Sequence, residues 1–509
     1  KKAFDTVWHE GLLLKLQRAG INGKIYELIQ SMYQGSVSRI KCKQTLTEPI
    51  IIRQGVHQGN VLSPLLFNIF INDIGNELFE NDAPQLHDSF VNHLLYADDL
   101  VLLSTSEEEL QKNILQVHNY CSKWGLVINT NKSKVMVFSK SGRLPKDAFT
   151  FFVGEDELEY VKQYKYLGVN ISSTAKFSVA EANLSLKANR ALFSIKQSIF
   201  NKNIKPSAVL NIFDALVKPI ALYASELWSP YKPCYKNKTL DEMFELSLKS
   251  SSEYDKLYIK FCKYLLGVHS KACNFAVLSE LGQYPLLITI LTSSINFWLH
   301  IIQSSCDSLV AKAYLEQING PNDRSIWVQF IKNVMCDLGF SHVWNNHYTF
   351  NSSNLLNAIK SKLKERYISF WQKRMAGEEG MKKLQLYRLL KQNFKFESYL
   401  DDLHDKVIRK CLCAFRISAH RLRIERGRYC GEKPEERLCD NCNTIENEVH
   451  FLCQCNKYNV LRSKMFDSIK DISFTACTTS EETFMSIMTS KDIRIVKAVA
   501  TFIRDCQII

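Results

Sequence analysis

The sequence predicts an α+β region at the amino terminus, then a long helical region, and a small Cys/His-rich module near the carboxyl end. Strand-like and helical periods alternate over residues 1–171. Residues 178–400 have almost continuous helical spacing, which prolines divide into separate helices. Cys and His residues cluster between 439 and 455, a spacing typical of a metal site. This order indicates several domains rather than one.

The composition is that of an ordinary globular protein, with 46% apolar and 23% charged residues in a chain of 509. Lys and Arg exceed Asp and Glu by 13, a moderate excess that agrees with a polyanionic partner. The sequence has no stretch of about 18 uncharged apolar residues, so no membrane span is predicted. Residues 1–30 lack a secretory pattern. The sixteen cysteines are therefore expected to be reduced intracellular thiols.

Two adjacent carboxylates, Asp98 and Asp99, interrupt an apolar run that extends from 93 to 103. An ordinary hairpin turn is the alternative, because Asp is common in turns, but turn aspartates usually have polar neighbours. Adjacent carboxylates beside apolar strands repel each other and are expected to lose hydration, and a divalent cation removes that penalty. The pattern predicts that Asp98 and Asp99 hold Mg²⁺ for two-metal phosphoryl transfer.

Five segments around this pair resemble, in order, the motifs of reverse transcriptases of the non-LTR (LINE-type) retrotransposon class. The resembling segments are Ala-Phe-Asp-Thr-Val at 3–7, Gln58 through Phe67, Tyr-Ala-Asp-Asp at 96–99, Gly125 through Lys132, and Tyr-Lys-Tyr-Leu-Gly at 164–168. The resemblance implies a right-hand polymerase palm with partial fingers at 1–171 and a helical thumb at 172–270. It further implies a helical linker region at 271–404, a basic zinc-knuckle module at 405–470 and a carboxyl-terminal tail at 471–509.

The resemblance also assigns roles to single residues. Asp98 is expected to be the firmer Mg²⁺ ligand and Asp99 the weaker one. Phe4 is expected to lie under the incoming sugar and to exclude a 2′-hydroxyl, which selects dNTP over NTP. Gln58 and Gly59 are expected to let the backbone approach the template base and nucleotide, although a simple turn before a helix is the alternative.

The fourth and fifth motifs add a cation and a primer contact. Lys132 is expected to stabilise or protonate the pyrophosphate, with an ordinary surface lysine as the alternative. Tyr166, Leu167 and Gly168 are expected to form the primer grip. In the first motif of this family a metal-binding Asp lies five residues before the Phe, a position upstream of Lys1. The chain alone is therefore expected to be inactive as a polymerase.

A second metal site is predicted near the carboxyl end. Cys439, Cys442, His450 and Cys455 supply three sulfurs and one imidazole, which suit a closed, structural Zn²⁺ site. Ordinary buried cysteines are one alternative, and Cys453 as the fourth ligand is another. Cys455 is preferred because the segment from His450 to Arg462 resembles the carboxyl-terminal Cys/His motif of non-LTR elements.

Basic residues are concentrated in two segments, and the simplest structural interpretation of each is a solvated helix face. Residues 360–395 contain eleven Lys/Arg and three Glu, and residues 406–428 contain eight Lys/Arg and one Glu. The second segment adjoins the predicted zinc module and is expected to contact nucleic acid through phosphates and stacking. The candidate contacts are Arg416, His420, Arg421, Arg423, Arg426 and Arg428.

Three functional hypotheses follow. The leading one is an RNA-directed DNA polymerase fragment that copies element RNA from a nicked target-DNA primer, with template RNA, target DNA and dNTPs as partners. The second is a non-catalytic RNA-binding protein derived from such an enzyme. The third is a group II intron-type maturase, against which the zinc spacing after a long helical region argues.

Overall fold

The structure is a computed structural model that describes residues 2–144, 147–199, 204–319, 325–346, 354–377, 384–472 and 479–509. Helices dominate the described residues. They are α1 His9–Arg18, α2 Gly23–Tyr33, α3 Ser63–Ile71, α4 Glu107–Lys123, α5 Ser178–Ile199, α6 Pro206–Leu216, α7 Lys218–Ala221, α8 Ser225–Trp228, α9 Leu240–Leu248, α10 Glu253–Leu266, α11 Asn274–Glu280, α12 Leu286–Gln303, α13 Leu309–Asn319, α14 Ile326–Asp337, α15 Ser341–Asn345, α16 Leu355–Ala376, α17 Gln385–Leu390, α18 Tyr399–Asp402, α19 Lys406–Arg416, α20 Arg423–Tyr429, α21 Asn459–Asp467, α22 Ser480–Met488 and α23 Ile493–Asp505.

The strands described by the structure all fall within residues 37–172, where strand-like periods were predicted. They are β1 Val37–Ser38, β2 Lys41–Cys42, β3 Thr45–Leu46, β4 Ile50–Ile51, β5 Gln85–Leu86, β6 Ser89–Phe90, β7 His93–Tyr96, β8 Asp99–Leu102, β9 Lys134–Val135, β10 Phe152–Val153, β11 Asp156–Glu157, β12 Glu159–Tyr160, β13 Gln163–Tyr166 and β14 Val169–Ser172. They pair in twos, and six of the seven pairs are antiparallel; β9 and β12 are parallel. The α+β prediction for this region is confirmed.

The chain divides into two compact units. The first contains Lys1–Lys176 and Ser305–Gly320, and the second contains Phe177–Ser304 and Pro321–Ile509. The first division lies within a few residues of the predicted palm boundary at 171. The second unit contains the predicted zinc module and tail, nearly all of the predicted thumb, and the predicted linker except residues 305–320, and the boundaries inside it stay predictions.

The core of the first unit is built on α1 and α3, with side chains from α2 and α4. Leu12 and Leu16 of α1, and Phe67 and Phe70 of α3, are completely or almost completely buried. Helical spacing places these residues on one face of each helix, so both helices bury an apolar stripe in the same core. This core supports the strands that follow it.

Residues 305–320 join the first unit, which the sequence did not predict. On α13, Lys312 forms an ion pair with Asp88 at 3.0 Å, in the turn between β5 and β6. Glu316 accepts a hydrogen bond from the backbone N–H of His87 at 3.1 Å. A helix far along the chain is thus held to the β5–β6 turn by polar contacts, which periodicity cannot reveal.

In the second unit, helices pack around several fully buried side chains. Trp298 of α12 is fully buried and stacks on Trp344 of α15, with ring centroids 5.4 Å apart. The indole N–H of Trp371 donates to the hydroxyl of Ser279 at 2.8 Å. Such aromatic packing supplies much of the apolar surface that a long helical region must bury.

Among the described residues, α12 is long and apolar enough to cross a membrane by length and composition, and the broken pair Pro206–Ala221 and Ser225–Tyr231 also passes that test if it is one span. More than half of α12 is buried inside the protein, against neighbours that include α8 and α16. A core helix that is buried on most sides is expected to be this apolar. The prediction of no membrane span therefore stays a prediction.

Candidate active site and metal centre

Asp98 and Asp99 lie at the tip of a tight hairpin. β7 and β8 pair in antiparallel register from His93 with Leu102 to Tyr96 with Asp99. Ala97 and Asp98 form the two-residue turn, and Ala97 adopts a left-handed φ of 52°. Such turns match the twist of the flanking strands, which explains why the apolar runs on both sides continue up to the tip.

The base of this hairpin packs on the main core of the first unit. Leu95 and Leu100 form the strand pair next to Tyr96 and Asp99, and both contact the same core as Phe4 and Phe67. The strand pairing and this packing fix the direction in which the tip projects. The two carboxylates are therefore carried by a braced turn rather than by a loose loop.

Both carboxylates are exposed, which corrects the expectation that the flanking strands dehydrate them. The apolar side chains of β7 and β8 cover the hairpin base, and the tip projects beyond them. Among the described residues, no Lys, Arg or His forms an ion pair with Asp98 or Asp99. Two neighbouring, unpaired carboxylates are a donor set that suits a hard divalent cation with open coordination positions.

The first motif lies against the second through backbone and side-chain hydrogen bonds. The N–H of Val56 donates to the carbonyl of Phe4 at 2.8 Å, and the side-chain amide of Gln58 donates to Asp5 Oδ1 at 2.7 Å. Phe4 is half-buried and stacks on Phe67, with ring centroids 4.4 Å apart. The sequence paired these two motifs only by resemblance, and the structure brings them into direct contact.

Gly55 lies close to another backbone segment, which explains why a glycine is needed there, whereas open space surrounds Gly59. A Cβ at Gly55 would lie 2.8 Å from the carbonyl oxygen of Asp5, so only glycine fits there. At Gly59 the φ is +84°, and a Cβ added there would meet no atom within 4 Å. The Gln58-Gly59 pair is exposed, as a segment that receives a ligand requires.

The predicted primer grip is a second tight hairpin, formed by β13 and β14. Tyr166 pairs with Val169, and Leu167 and Gly168 form the turn with φ values of 45° and 87°. Partial burial and the negative charge of Asp99 raise the pKa of Tyr166, which places this turn in the electrostatic field of the carboxylate hairpin. The hydroxyl of Tyr164 donates to the carbonyl of Lys132 at 3.1 Å, and this contact links the fourth motif to the same hairpin.

The four predicted zinc ligands converge. One ligand atom from each of Cys439, Cys442, His450 and Cys455 lies within 4.8 Å of the others. The Cys455 Sγ is 3.8 Å from that of Cys439 and 3.9 Å from that of Cys442. Cys453 is not part of the cluster, and burial raises the pKa of its thiol to about 11. The cluster is compatible with zinc and supports Cys455 over Cys453.

The histidine of this cluster is oriented toward the sulfurs. Its Nδ1 is 3.1 Å from the hydroxyl of Thr444, while its Nε2 is buried and has no hydrogen-bond partner. A buried polar atom without a partner is unfavourable unless it binds something. In structural zinc sites the second ring nitrogen is held in this way, so the donor set fits a tetrahedral ion.

Arg462 stabilises the backbone of the segment that carries His450 and Cys455. It is buried and donates to the carbonyls of Leu452 at 2.8 Å, Phe451 at 3.2 Å and Cys455 at 2.7 Å. Three carbonyls held by one guanidinium fix the backbone between His450 and Cys455. The sequence indicated Arg462 only as part of a motif, and no periodicity reveals that it is turned inward.

Two of the predicted nucleic-acid contacts are buried instead. Arg416 forms ion pairs with Glu280 at 2.7 Å and with Glu397 at 3.1 Å. His420 lies 3.1 Å from Glu448, and its side chain is fully buried. The prediction that these two residues touch nucleic acid is revised, because neither reaches the surface.

The other four predicted contacts are at least partly exposed. Arg421 and Arg426 are exposed. Arg423 forms ion pairs with Glu432 and Asp440, and Arg428 forms one with Glu425. Part of the first basic segment, 378–383, lies outside the described residues. Arg421 and Arg426 are therefore the stronger remaining candidates.

Comparison with known proteins adds independent support. Residues 1–171 match the family model for "Reverse transcriptase (RNA-dependent DNA polymerase)". The amino-terminal region is a reverse transcriptase domain. It contains all five motifs on which the resemblance was based, and that resemblance is confirmed.

The similar proteins are named as polymerases of mobile elements. A "Retrovirus-related Pol polyprotein from type-1 retrotransposable element R2" of Nasonia vitripennis is 32% identical over 35% of the chain and 18% of its own length. An "RNA-directed DNA polymerase from mobile element jockey" of Drosophila funebris is 27% identical over 47% and 26%. A "Probable RNA-directed DNA polymerase from transposon BS" of Drosophila melanogaster is 27% identical over 45% and 25%. The chain thus spans about a fifth to a quarter of these relatives.

A reverse transcriptase domain implies a palm-and-thumb polymerase fold, divalent metal ions, an RNA template and nucleotide substrates. The carboxylate hairpin supplies the acidic pair that such metal chemistry requires. The Cys/His cluster lies outside residues 1–171, so the match says nothing about it. Its support comes from the geometry of its four ligand atoms alone.

Proposed function

We propose that this chain contributes the catalytic palm of an RNA-directed DNA polymerase of a non-LTR retrotransposon. The observation that carries the proposal is the β7–β8 tip, where exposed Asp98 and Asp99 project from a hairpin braced by the core that also holds Phe4. The primer for this reaction is a 3′-hydroxyl of target DNA, the template is element RNA, and the substrates are dNTPs.

The residues of the palm divide the work. Asp98 and Asp99 would hold Mg²⁺ ions, and such ions would activate the attacking hydroxyl and neutralise charge on the leaving pyrophosphate. Phe4, supported from one side by Phe67, limits the space for a 2′-hydroxyl. The exposed ammonium of Lys132 faces solvent, where it can bind the pyrophosphate.

The hairpin of Tyr166 positions the primer end. A primer strand resting on Leu167 and Gly168 would present its terminal hydroxyl to the carboxylate hairpin, and the influence of Asp99 on the pKa of Tyr166 supports this arrangement. Holding the reacting groups in this way removes much of the entropic part of the barrier. The two hairpins thus act together, one on the metal ions and the other on the primer.

Primer extension tests this proposal. Because the resemblance implies a metal-binding Asp five residues before Phe4, the assay uses a protein in which this first motif is complete. We expect template-directed dNTP incorporation on RNA that depends on Mg²⁺. RNA binding without incorporation would instead support the non-catalytic RNA-binding hypothesis.

We also propose that Cys439, Cys442, His450 and Cys455 bind one structural Zn²⁺. The partnerless His450 Nε2 and the three nearby sulfurs support this assignment. Metal content measured on purified protein is expected to be one zinc per chain. Cys455→Ser should lose the zinc, whereas the matched variant Cys453→Ser should keep it; the reverse result would make Cys453 the ligand.

A further inference from the structure

One end of α10 carries a concentration of lysines that neither metal site uses. Three segments without any Asp or Glu contribute to it, namely residues 182–199, 256–279 and 406–424. α10 packs against both α5 and α19, so the structure brings these three segments together. An acid-free surface built from three separate parts of the chain is more than the solvated face of one helix.

Two side-chain contacts place Lys196 and Lys410 beside the carboxyl end of α10. The Lys196 ammonium of α5 lies 4.1 Å from the centre of the Tyr264 ring. Lys410 of α19 lies against Gly267, because a Cβ there would approach its Cγ to 2.9 Å. Burial and the charge of Lys260 lower the pKa of Lys196.

The helix end itself accounts for only part of this charge. Cations are favoured at the carboxyl end of a helix, and Lys263 donates to the carbonyl of Ser270 at 2.6 Å. Lys260, Lys271 and Lys410 are exposed, and no carboxylate of the described residues forms an ion pair with them. Mutually repelling lysines without acidic partners indicate that an anion from outside the chain completes the surface.

An exposed aromatic ring lies beside Lys196 on the same helix as Lys260 and Lys263. Tyr264 is 45% exposed, so part of its ring stays accessible beside Lys196. A planar accessible ring among ammonium groups is the combination with which proteins bind unpaired nucleic-acid strands: phosphates contact the cations and one base stacks on the ring. A duplex would offer phosphates but no free base face.

We propose that this surface, formed by Lys196, Lys260, Lys263, Lys271 and Lys410 around Tyr264, binds an unpaired nucleic-acid strand. The lysines hold successive phosphates, and Tyr264 stacks on one base. The surface is a site in the second unit that is additional to the carboxylate hairpin. It rests on the proposed function only in that nucleic acid is the partner.

Binding measured without dNTP or added divalent metal separates this surface from catalysis. Fluorescence anisotropy is recorded with a labelled 20-nucleotide single strand of RNA, and in a second arm of DNA, over a range of salt concentrations. The full chain is compared with Lys260→Gln/Lys410→Gln. The matched control is Lys332→Gln/Lys360→Gln, which removes the same charge from exposed positions on α14 and α16.

The surface variant should bind at least tenfold more weakly, and its salt slope should fall by about 1.4, because each phosphate contact on a single strand contributes about 0.7. The control should change affinity less than threefold. Equal losses in the two variants, or no loss in either, would overturn the proposal. Tighter binding of one strand type identifies RNA or DNA as the natural partner, and both results support the surface.

The role of Tyr264 has its own test. Tyr264→Leu should weaken binding roughly tenfold without changing the salt slope, because stacking carries no charge, and Tyr264→Phe should restore it. A duplex that binds as tightly as the single strand would contradict the stacking role. Because the binding assay contains neither dNTP nor added divalent metal, it does not depend on catalysis, so failure of this proposal and failure of the polymerase proposal give different results.

Discussion

The β7–β8 tip and the cluster around Glu280 use charged side chains in opposite ways. At the tip, Asp98 and Asp99 are exposed and have no cationic partner among the described residues. In the second unit, Glu280 is completely buried and accepts hydrogen bonds from Arg416 and Tyr399, each at 2.7 Å. Open carboxylates are available to ligands, whereas buried and paired ones hold helices together. Exposure therefore separates the charges that act on ligands from those that maintain the fold.

The largest expected effect concerns activity at the tip. Asp98→Asn should reduce primer extension at least a thousandfold, about 4 kcal/mol in the barrier, because a metal ligand is lost. Its free energy of unfolding in urea should change by less than about 0.5 kcal/mol, since the side chain is exposed.

Glu155→Gln is the matched control for this variant, because Glu155 is an exposed acid in the two-residue turn between β10 and β11. It should leave both activity and stability unchanged. An Asp98→Asn protein that unfolds easily would show that the carboxylate is structural, and the contrast with Glu280 would fail.

The second expected effect concerns stability at the buried cluster. Arg416→Ala leaves Glu280 buried without its main counter-charge and should lower the free energy of unfolding by about 3–5 kcal/mol. The control Arg421→Ala, at an exposed position, should change it by less than about 0.5 kcal/mol. A loss of nucleic-acid affinity with unchanged stability would restore Arg416 as a direct contact.

A buried acid that forms no ion pair among the described residues, Asp255, sharpens the contrast through pH. Burial raises the pKa of Asp255 to about 7, and its Oδ2 has no hydrogen-bond partner. Because the folded pKa is above the unfolded one, the stability that this group contributes at low pH is lost as the pH rises from about 4 to about 7. The loss amounts to roughly 4 kcal/mol at most.

Asp255→Asn should remove this dependence, so the stability of the variant relative to the unchanged protein should increase between pH 4 and pH 8. Urea unfolding at both pH values measures it, with exposed Asp402→Asn as the control. A relative stability that is flat over this range would show that Asp255 is ionised at no cost in the folded state.

The smallest expected effect concerns the Cys/His cluster. Arg462→Lys removes donors to the backbone between His450 and Cys455 and should weaken zinc binding about 10- to 100-fold, as measured by competition with a chromophoric chelator. Lys464→Gln, exposed on the same helix, should leave the affinity unchanged. Equal affinities in all three proteins would mean that the cluster needs no support from Arg462.

The sequence predicted the parts of the candidate sites that depend on local order. The carboxylate hairpin follows from two apolar runs around Asp98, and the cluster follows from the spacing of Cys439, Cys442, His450 and Cys455. In both cases the ligands are close together in the chain. Local turns and strand pairing are then sufficient to bring them together.

The parts that the sequence missed depend on distant partners. Arg416 and Glu280 are separated by 136 positions in the sequence. No residue near Arg416 therefore indicates that its side chain will be buried in an ion pair with Glu280. The same holds for Lys312 and Asp88, whose ion pair joins residues 305–320 to the first unit. Residues 406–428 were interpreted as a basic surface, but Arg416 and His420 of this segment are buried. Helix packing decides which side chains of the segment face solvent.

The most direct test of the central claim is the amount of Mn²⁺ bound beside the nucleotide. Electron paramagnetic resonance measures Mn²⁺ bound to the protein with a complete first motif, in complex with RNA template, primer and dNTP. The account predicts that Asp98→Asn binds less Mn²⁺ than the unchanged protein and that Glu155→Gln binds the same amount. Equal Mn²⁺ binding by all three proteins would contradict it.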